Sequence, residues 1–111
     1  MGRHSLGEFE LLVMLAALGL GPDEAYTVSI VDRIEARTGR RVRTANVHTT
    51  LQRLEAKGLV STRLGDPRPE RGGKPRRLGN VLPAGLDAAR VTTHVVRSLA
   101  AGLEDALGGA L

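Results

Sequence analysis

The sequence has 111 residues, of which 41% are hydrophobic, with one Phe, one Tyr and neither Trp nor Cys. This length is typical of a single domain. With so few aromatic residues, its core must be built from Leu, Val, Ile and Ala. The absence of cysteine excludes disulfide bonds, thiolate zinc sites and cysteine nucleophiles, and we expect a reducing compartment, the cytoplasm. Because so small a core buries a modest fraction of the surface, we expect an oligomer.

Charge is distributed unevenly along the chain. Residues 37–77 contain twelve Lys and Arg against three carboxylates, a net charge of +9, whereas the other residues carry a net charge of −5. Positive charge concentrated in one segment is typical of proteins that bind phosphate groups. A solvated basic face is the alternative interpretation. The one-sidedness of the segment favours nucleic acid, and we predict double-stranded DNA as the partner.

An apolar run near the N-terminus predicts the first helix. Residues 6–18 carry apolar side chains on more than one side, which indicates a buried helix that Gly19, Gly21 and Pro22 end. The run is shorter than the roughly 20 apolar residues that a bilayer span requires. Glu8 and Glu10 argue against a signal peptide. We therefore expect no membrane as a partner.

Two further helices are predicted on either side of a tight turn. Thr27 can cap the second helix, and Gly39 can end it in the left-handed conformation. Thr44 can cap the third helix, which runs to Lys57 and is closed by Gly58. The sequence therefore predicts a helix-turn-helix.

The third predicted helix has an apolar and a polar face. At about 100° per residue, Val47, Leu51 and Leu54 share one side. The opposite side is polar but nearly uncharged at its start, which suits a helix that enters the major groove of DNA. We predict that the bases of the DNA are read by six residues of this helix: Thr44, Asn46, His48, Thr49, Gln52 and Arg53.

A basic hairpin is predicted to follow. Residues 59–64 and 78–82 have the character of strands, although Gly79 and Asn80 weaken the second one. The segment between them is rich in Gly, Pro and Arg, and is too polar to fold inward. Next to a helix-turn-helix, such a hairpin can reach phosphates or a minor groove. The side chains that we predict for these contacts are Arg41, Arg43, Arg68, Arg71, Lys74, Arg76 and Arg77.

The C-terminal segment predicts a strongly amphipathic helix over residues 84–107. At about 1.5 Å per residue it would be roughly 36 Å long, more than the preceding domain can cover, so we expect a second copy to cover the rest. The interface is predicted to include Leu12, Val91, Val95, Leu99 and Leu103. The predicted fold is α+β, mainly α: a winged helix-turn-helix DNA-binding domain over 1–83 and a C-terminal amphipathic dimerisation helix over 84–111.

Four segments together resemble the PadR-like winged-helix transcriptional regulators. They are LGEFE at 6–10, TTLQRLEAKGLV at 49–60, PERGGK at 69–74 and PAG at 83–85. The resemblance implies a homodimeric DNA-binding regulator, usually a repressor. The chain departs from the family at His48, where Tyr is common, and at Leu82, where Thr is common. Some members bind planar or phenolic compounds at the dimer interface, but Phe9 and Tyr26 form no aromatic sandwich, so a small-molecule effector stays unidentified.

Enzymatic and metal sites are not indicated. The three histidines lack paired spacing with carboxylates, and neither a phosphate-loop frame nor a Gly-x-Ser-x-Gly elbow occurs. We predict a protein that is not an enzyme and has no cofactor and no metal. The leading hypothesis is a sequence-specific transcriptional regulator. Two alternatives stay open: a non-specific architectural DNA-binding protein that uses the same basic segment, and a protein-interaction adaptor whose winged domain contacts an acidic partner.

Overall fold

A computed structural model describes residues 6–65 and 76–109 of the chain. The order of the elements is α1 (Glu8–Leu20), α2 (Thr27–Thr38), α3 (Thr44–Ala56), β1 (Val60–Leu64), β2 (Arg77–Val81) and α4 (Pro83–Ala100). The two strands pair antiparallel, with Val60 opposite Val81. The fold is therefore mainly helical with a two-stranded wing, the winged helix-turn-helix that the sequence predicts.

α1 begins at Glu8 rather than at residue 6, and further helix boundaries differ from the predicted ones. Gly19 does not end α1, which continues to Leu20, because a single glycine is tolerated within a helix. Thr27 and Thr44 are the first helical residues of α2 and α3 rather than their caps. The cap positions belong to the preceding residues, which are already extended and make no side-chain capping bond: Tyr26 and Arg43.

The helix-turn-helix closes around one hydrophobic core. α1 contributes Val13 and Met14, α2 contributes Ile30, and α3 contributes Leu51 and Leu54, all of them buried. The turn between α2 and α3 starts at Gly39, whose φ of 72° lies in the left-handed region that glycine adopts at least cost. This packing leaves the opposite side of α3 facing solvent.

The base of the wing is joined to the start of α2. Tyr26 forms an isolated antiparallel bridge with Leu78, and the N–H of Gly79 donates to the carbonyl oxygen of Ala25 at 2.9 Å. A Cβ added at Gly79 would lie 3.2 Å from Leu51 Cδ2. Gly79 therefore permits a close approach between the wing and α3 instead of weakening the strand.

The C-terminal helix is shorter than predicted. α4 ends at Ala100, Ala101 is extended, and Gly102 follows with a φ of 82°. The prediction of a helix to residue 107 was wrong, because Gly102 adopts a backbone conformation that an α-helix does not contain. With 18 residues, α4 is about 27 Å long. Turns follow it within residues 101–109.

Candidate nucleic-acid interface

The outward side of α3 carries most of the predicted base-reading residues. Its exposed side chains are Thr44, Ala45, Asn46, Thr49, Gln52, Arg53 and Ala56, and His48 is half-buried. On the opposite side Val47, Leu51 and Leu54 are almost completely buried, which orients the helix. Within the described residues, none of the predicted base readers forms a side-chain hydrogen bond or an ion pair. Their donors and acceptors are therefore available to a ligand.

Part of the basic segment is neutralised by carboxylates that lie outside it. The described pairs are Arg40 with Glu8 at 2.8 Å, Lys57 with Glu10 at 2.8 Å, and Arg63 with Asp23 at 3.5 Å. By contrast, Arg41, Arg43 and Arg53 form no ion pair with any described carboxylate. Around α3, unpaired positive charge therefore extends from Arg41 and Arg43 before the helix to Arg53 in its third turn.

Glu10 fastens the start of α1 to the end of α3. Its carboxylate accepts hydrogen bonds from Lys57 Nζ at 2.8 Å and from the Gly7 N–H at 3.0 Å. Burial alone would raise the pKa of Glu10, but these hydrogen bonds, with the charges of Lys57 and Arg53, outweigh it and lower the pKa below its usual value of 4.5. Glu10 is therefore ionised at neutral pH and pairs with Lys57 at the surface of the protein.

The arginines without carboxylate partners meet at a groove of about 460 Å³ between the α2–α3 turn and α3. We call this feature the arginine groove. It is lined by Phe9, Arg40, Arg41, Val42, Arg43, Asn46, Thr49, Thr50 and Arg53, none of which is acidic. The turn is held by Glu35, whose Oε2 accepts the Val42 N–H at 3.1 Å. The groove is thus a positively charged concavity on a fixed backbone.

The other flank of α3 is bonded to the wing. Glu55 accepts the N–H and the hydroxyl of Thr62, each at 3.1 Å, and Arg77 Nη1 donates to Thr62 Oγ1 at 2.7 Å. Arg76 lies over the ring of Tyr26, 3.9 Å from its centroid. Two of the predicted backbone contacts, Arg76 and Arg77, therefore also hold the wing in place. The other three predicted contacts of the wing, Arg68, Arg71 and Lys74, lie outside the described residues.

Sequence reasoning missed these polar links. In the sequence, Glu8 and Glu10 argue only against a signal peptide, yet both bind basic side chains of residues 37–77, Arg40 and Lys57. One signal for Glu10 exists in the sequence, because a Glu at the third position of a helix often accepts the N–H of the cap residue. Its pairing with Lys57, 47 positions away, has no such local signal.

The predicted interface residues fall into two groups. Leu12 is half-buried against the core of its own subunit, and Val91 is half-buried on α4. Val95 is 52% exposed and Leu99 is 76% exposed, and Val96 beside them is 56% exposed. Leu103 is 47% exposed but lies beyond the end of α4.

Within residues 6–65 and 76–109, no three His, Asp or Glu side chains are grouped closely enough to hold a metal ion. None of the helices described there is both long and apolar enough to cross a membrane.

The chain is similar to solved structures of transcriptional regulators. A PadR-family regulator from Eggerthella lenta is 25% identical, with a TM-score of 0.66 over 93% of this chain and 88% of that one. A PadR-family regulator from Clostridium difficile is 19% identical, with a TM-score of 0.70 over 92% and 100%. A PadR-like regulator from Bacillus cereus is 14% identical, with a TM-score of 0.68 over 90% and 94%. Neither the protein-family models nor the curated proteins yield a match to the sequence.

Proposed function

We propose that this chain, which has the PadR-like winged-helix fold, is a DNA-binding transcriptional regulator that recognises a specific sequence. The observation that carries the proposal is the exposed side of α3, where polar side chains without described partners adjoin the arginine groove. Amide and hydroxyl groups on a helix suit the edges of bases in the major groove. Guanidinium groups beside the start of the same helix suit phosphates.

In this proposal the helix and the wing have separate tasks. Base reading belongs to the predicted set on α3, and backbone contacts belong to Arg41, Arg43 and the basic side chains of the wing. Contacts to phosphates fix the position of the protein on the duplex, whereas contacts to base edges supply sequence specificity. The resemblance to PadR-like regulators supports repression as the mode of action, in the cytoplasm.

The proposed regulator binds DNA as a homodimer. The apolar side of α4 is buried by its own subunit at Gly85, Ala88 and Ala89. The same side continues toward the C-terminus as Val95 and Leu99, which are exposed. An exposed apolar surface continuous with a buried one favours coverage by another chain, and a second copy related by two-fold symmetry offers the same surface. Two α3 helices would then lie about one DNA turn, roughly 34 Å, apart.

The experiment that tests the proposal is selection of duplexes from a random pool by the purified protein. We expect enrichment of two inverted half-sites about 10 base pairs apart, bound at physiological salt at least ~1,000-fold more tightly than an unrelated duplex. Equal affinity for both duplexes would contradict the regulator and favour a non-specific architectural DNA-binding protein. Absence of duplex binding even at low salt would favour the protein-interaction adaptor.

One substitution sharpens this experiment. Gln52→Ala should reduce discrimination at a single base pair by about 1–3 kcal/mol, because the side chain is exposed on α3 and lies outside the arginine groove. The measurement is a competition between the selected duplex and its single-base variants. An equal loss for every variant duplex would contradict base reading by Gln52.

A further inference from the structure

We infer that the arginine groove holds one phosphate of the DNA backbone, and that Asn46 and Arg53 are phosphate-binding residues rather than base readers. This inference rests on the proposed function and changes the roles that the sequence predicts for these two residues. Base reading is then concentrated on the middle of the exposed side of α3, at Ala45, Thr49 and Gln52. The specificity of the protein would therefore depend on very few side chains.

The placement of the side chains around α3 is the first observation. Asn46, Thr49 and Arg53 line the arginine groove, whereas Ala45, Gln52 and Ala56 are exposed without lining it. Positions three, four and seven apart share one side of a helix, and a step of one residue turns the side chain by about 100°. Arg53 therefore projects toward the α2–α3 turn, while its neighbour Gln52 projects from the middle of the exposed side.

The electrostatics of the groove are the second observation. Its lining includes four arginines and no carboxylate, and among the residues that the structure describes only Arg40 of these four has an ion-pair partner, Glu8. Glu10, the acidic group whose charge acts on Arg53, is already bonded to Lys57. Arg41, Arg43 and Arg53 are therefore positively charged groups whose charge no described carboxylate neutralises. A phosphate diester supplies the single negative charge and the acceptor oxygens that such a cluster lacks.

Thr50 is the third observation, and it points to a ligand independently. The residue is only 3% exposed and lines the groove, yet its hydroxyl has no hydrogen-bond partner among the described residues. A Thr inside a helix commonly donates to the carbonyl oxygen four residues earlier, as Thr38 does to Ile34 at 2.7 Å. The described side-chain atoms that are fully buried without a partner are Arg76 Nε and Thr93 Oγ1, so the Thr50 hydroxyl is reached from the groove, where a phosphate oxygen can accept its hydrogen bond.

The start of α3 is open to the same ligand. Its cap residue, Arg43, makes no side-chain hydrogen bond to the helix, and the first turn contains no acidic residue. The first N–H groups of a helix lack partners within the helix and attract anions. They add donors at the end of the groove where Arg41 and Arg43 lie.

The test couples protein variants to changes in single phosphates of the selected duplex. Methylphosphonate, which removes the charge of one phosphate, is introduced at each backbone position in turn, and binding is measured with the full chain and with Arg53→Gln. We expect Arg53→Gln to weaken binding about 10-fold for every sequence and to reduce the slope of log affinity against log salt by about one. When the methylphosphonate replaces the phosphate held in the groove, Arg53→Gln should cause no further loss of affinity for that duplex.

Two more variants make the result specific to the groove. Thr50→Val keeps the shape of the side chain but removes the hydroxyl, so it should weaken binding several-fold and couple to the same phosphate. Arg37→Gln is the matched control, because Arg37 is an exposed arginine at the end of α2 that does not line the groove. The loss of affinity caused by Arg37→Gln should be the same at every methylphosphonate position. Circular dichroism of each variant checks that the helices are intact.

The outcomes separate this inference from the proposed function. If Arg53→Gln changes the preference at one base pair and leaves the salt slope unaltered, Arg53 reads a base, and the inference is wrong while the regulator stands. If millimolar inorganic phosphate raises the melting temperature of the chain but not of Arg53→Gln, and no methylphosphonate position couples, the groove binds a free anion instead. If the unaltered chain selects no sequence, the proposed function itself fails.

Discussion

α3 and α4 are both amphipathic helices, but only α3 has its apolar side fully covered by its own chain. Leu51 and Leu54 of α3 are 1% and 0% exposed, whereas Leu99 of α4 is 76% exposed. α4 is buried only near its start, at Gly85, Ala88 and Ala89. The position of the proposed reading helix is therefore decided within one chain, whereas the far half of α4 leaves an apolar surface exposed, the surface that the proposed dimer would cover.

Polar contacts extend this difference between the two helices. α3 is bonded to α1 through Lys57 and Glu10, and to the wing through Glu55 and Thr62. The described ion pair of α4, Arg90 with Asp87, lies within the helix itself. A binding surface that is fixed before the ligand arrives loses less conformational entropy on binding. α3 thus has the rigidity that the proposed sequence reading requires, and α4 has the exposed surface that the proposed dimer requires.

The largest expected effect comes from charging the exposed part of α4. The double substitution Val95→Glu and Leu99→Glu should convert the proposed dimer to monomers, because it would place four carboxylates in the proposed two-fold interface. Affinity for a paired operator should fall by about 1,000-fold, or ~4 kcal/mol, as the two half-sites are no longer bound together. Sedimentation velocity and binding titrations measure the two effects.

Ser98→Glu is the matched control for this prediction. Ser98 is exposed and lies on the polar side of the same turn of α4, within hydrogen-bond distance of His94 at 3.4 Å. It should leave the oligomeric state unchanged. If the double variant stays dimeric, the interface does not involve the exposed part of α4. The difference in exposure between α3 and α4 would then have no role in assembly.

A smaller effect tests how the start of α4 is attached. Gly85→Ala should destabilise the protein by about 3 kcal/mol, because the added Cβ would overlap the carbonyl oxygen of Leu59 and crowd Met14. In an open helical position the same substitution would stabilise by about 1 kcal/mol. Denaturant unfolding at a fixed protein concentration measures the difference.

Gly19→Ala in α1 provides the comparison. The three atoms nearest to its Cβ would belong to the guanidinium group of Arg33, a flexible group that can move aside, so we expect no loss of stability. Equal destabilisation by both substitutions would contradict the explanation that Gly85 is needed for the close approach of α4 to Leu59.

The smallest effect concerns the attachment of α3. Glu10→Gln should lower stability at neutral pH by about 1–2 kcal/mol, because Lys57 loses its partially buried partner. Since the pKa of Glu10 is lowered in the folded state, its stabilising contribution is present above about pH 4.5 and is lost as the pH falls through the folded-state pKa. The two proteins should therefore converge in acid, as urea unfolding at several pH values would show.

Glu8→Gln is the control for this pH dependence. Glu8 is paired with Arg40, but its side chain is 76% exposed, and an exposed ion pair contributes only a few tenths of a kcal/mol. A pH dependence of the same size in this variant would show that Glu10 has no special place in the attachment of α3.

Most of the fold follows from local patterns in the sequence. The spacing of apolar residues located the three helices of the helix-turn-helix, and the glycines at 39 and 58 marked where α2 and α3 end. The buried side of α3 was predicted from periodicity, because a helix has a fixed angle per residue. The end of α4 was not, since the apolar pattern continues past Gly102 although the helix does not.

By itself, therefore, the sequence determined the order of the helices and strands, the polar side of α3 and the segment that carries the positive charge, since these depend on neighbours along the chain. Only the tertiary structure decided which basic side chains stay available. Arg40, Lys57 and Arg63 are neutralised by carboxylates 32, 47 and 40 positions away, and the arginine groove combines residues of α1, the turn and α3. Pairings over such separations are set by how the helices pack, which no local pattern specifies.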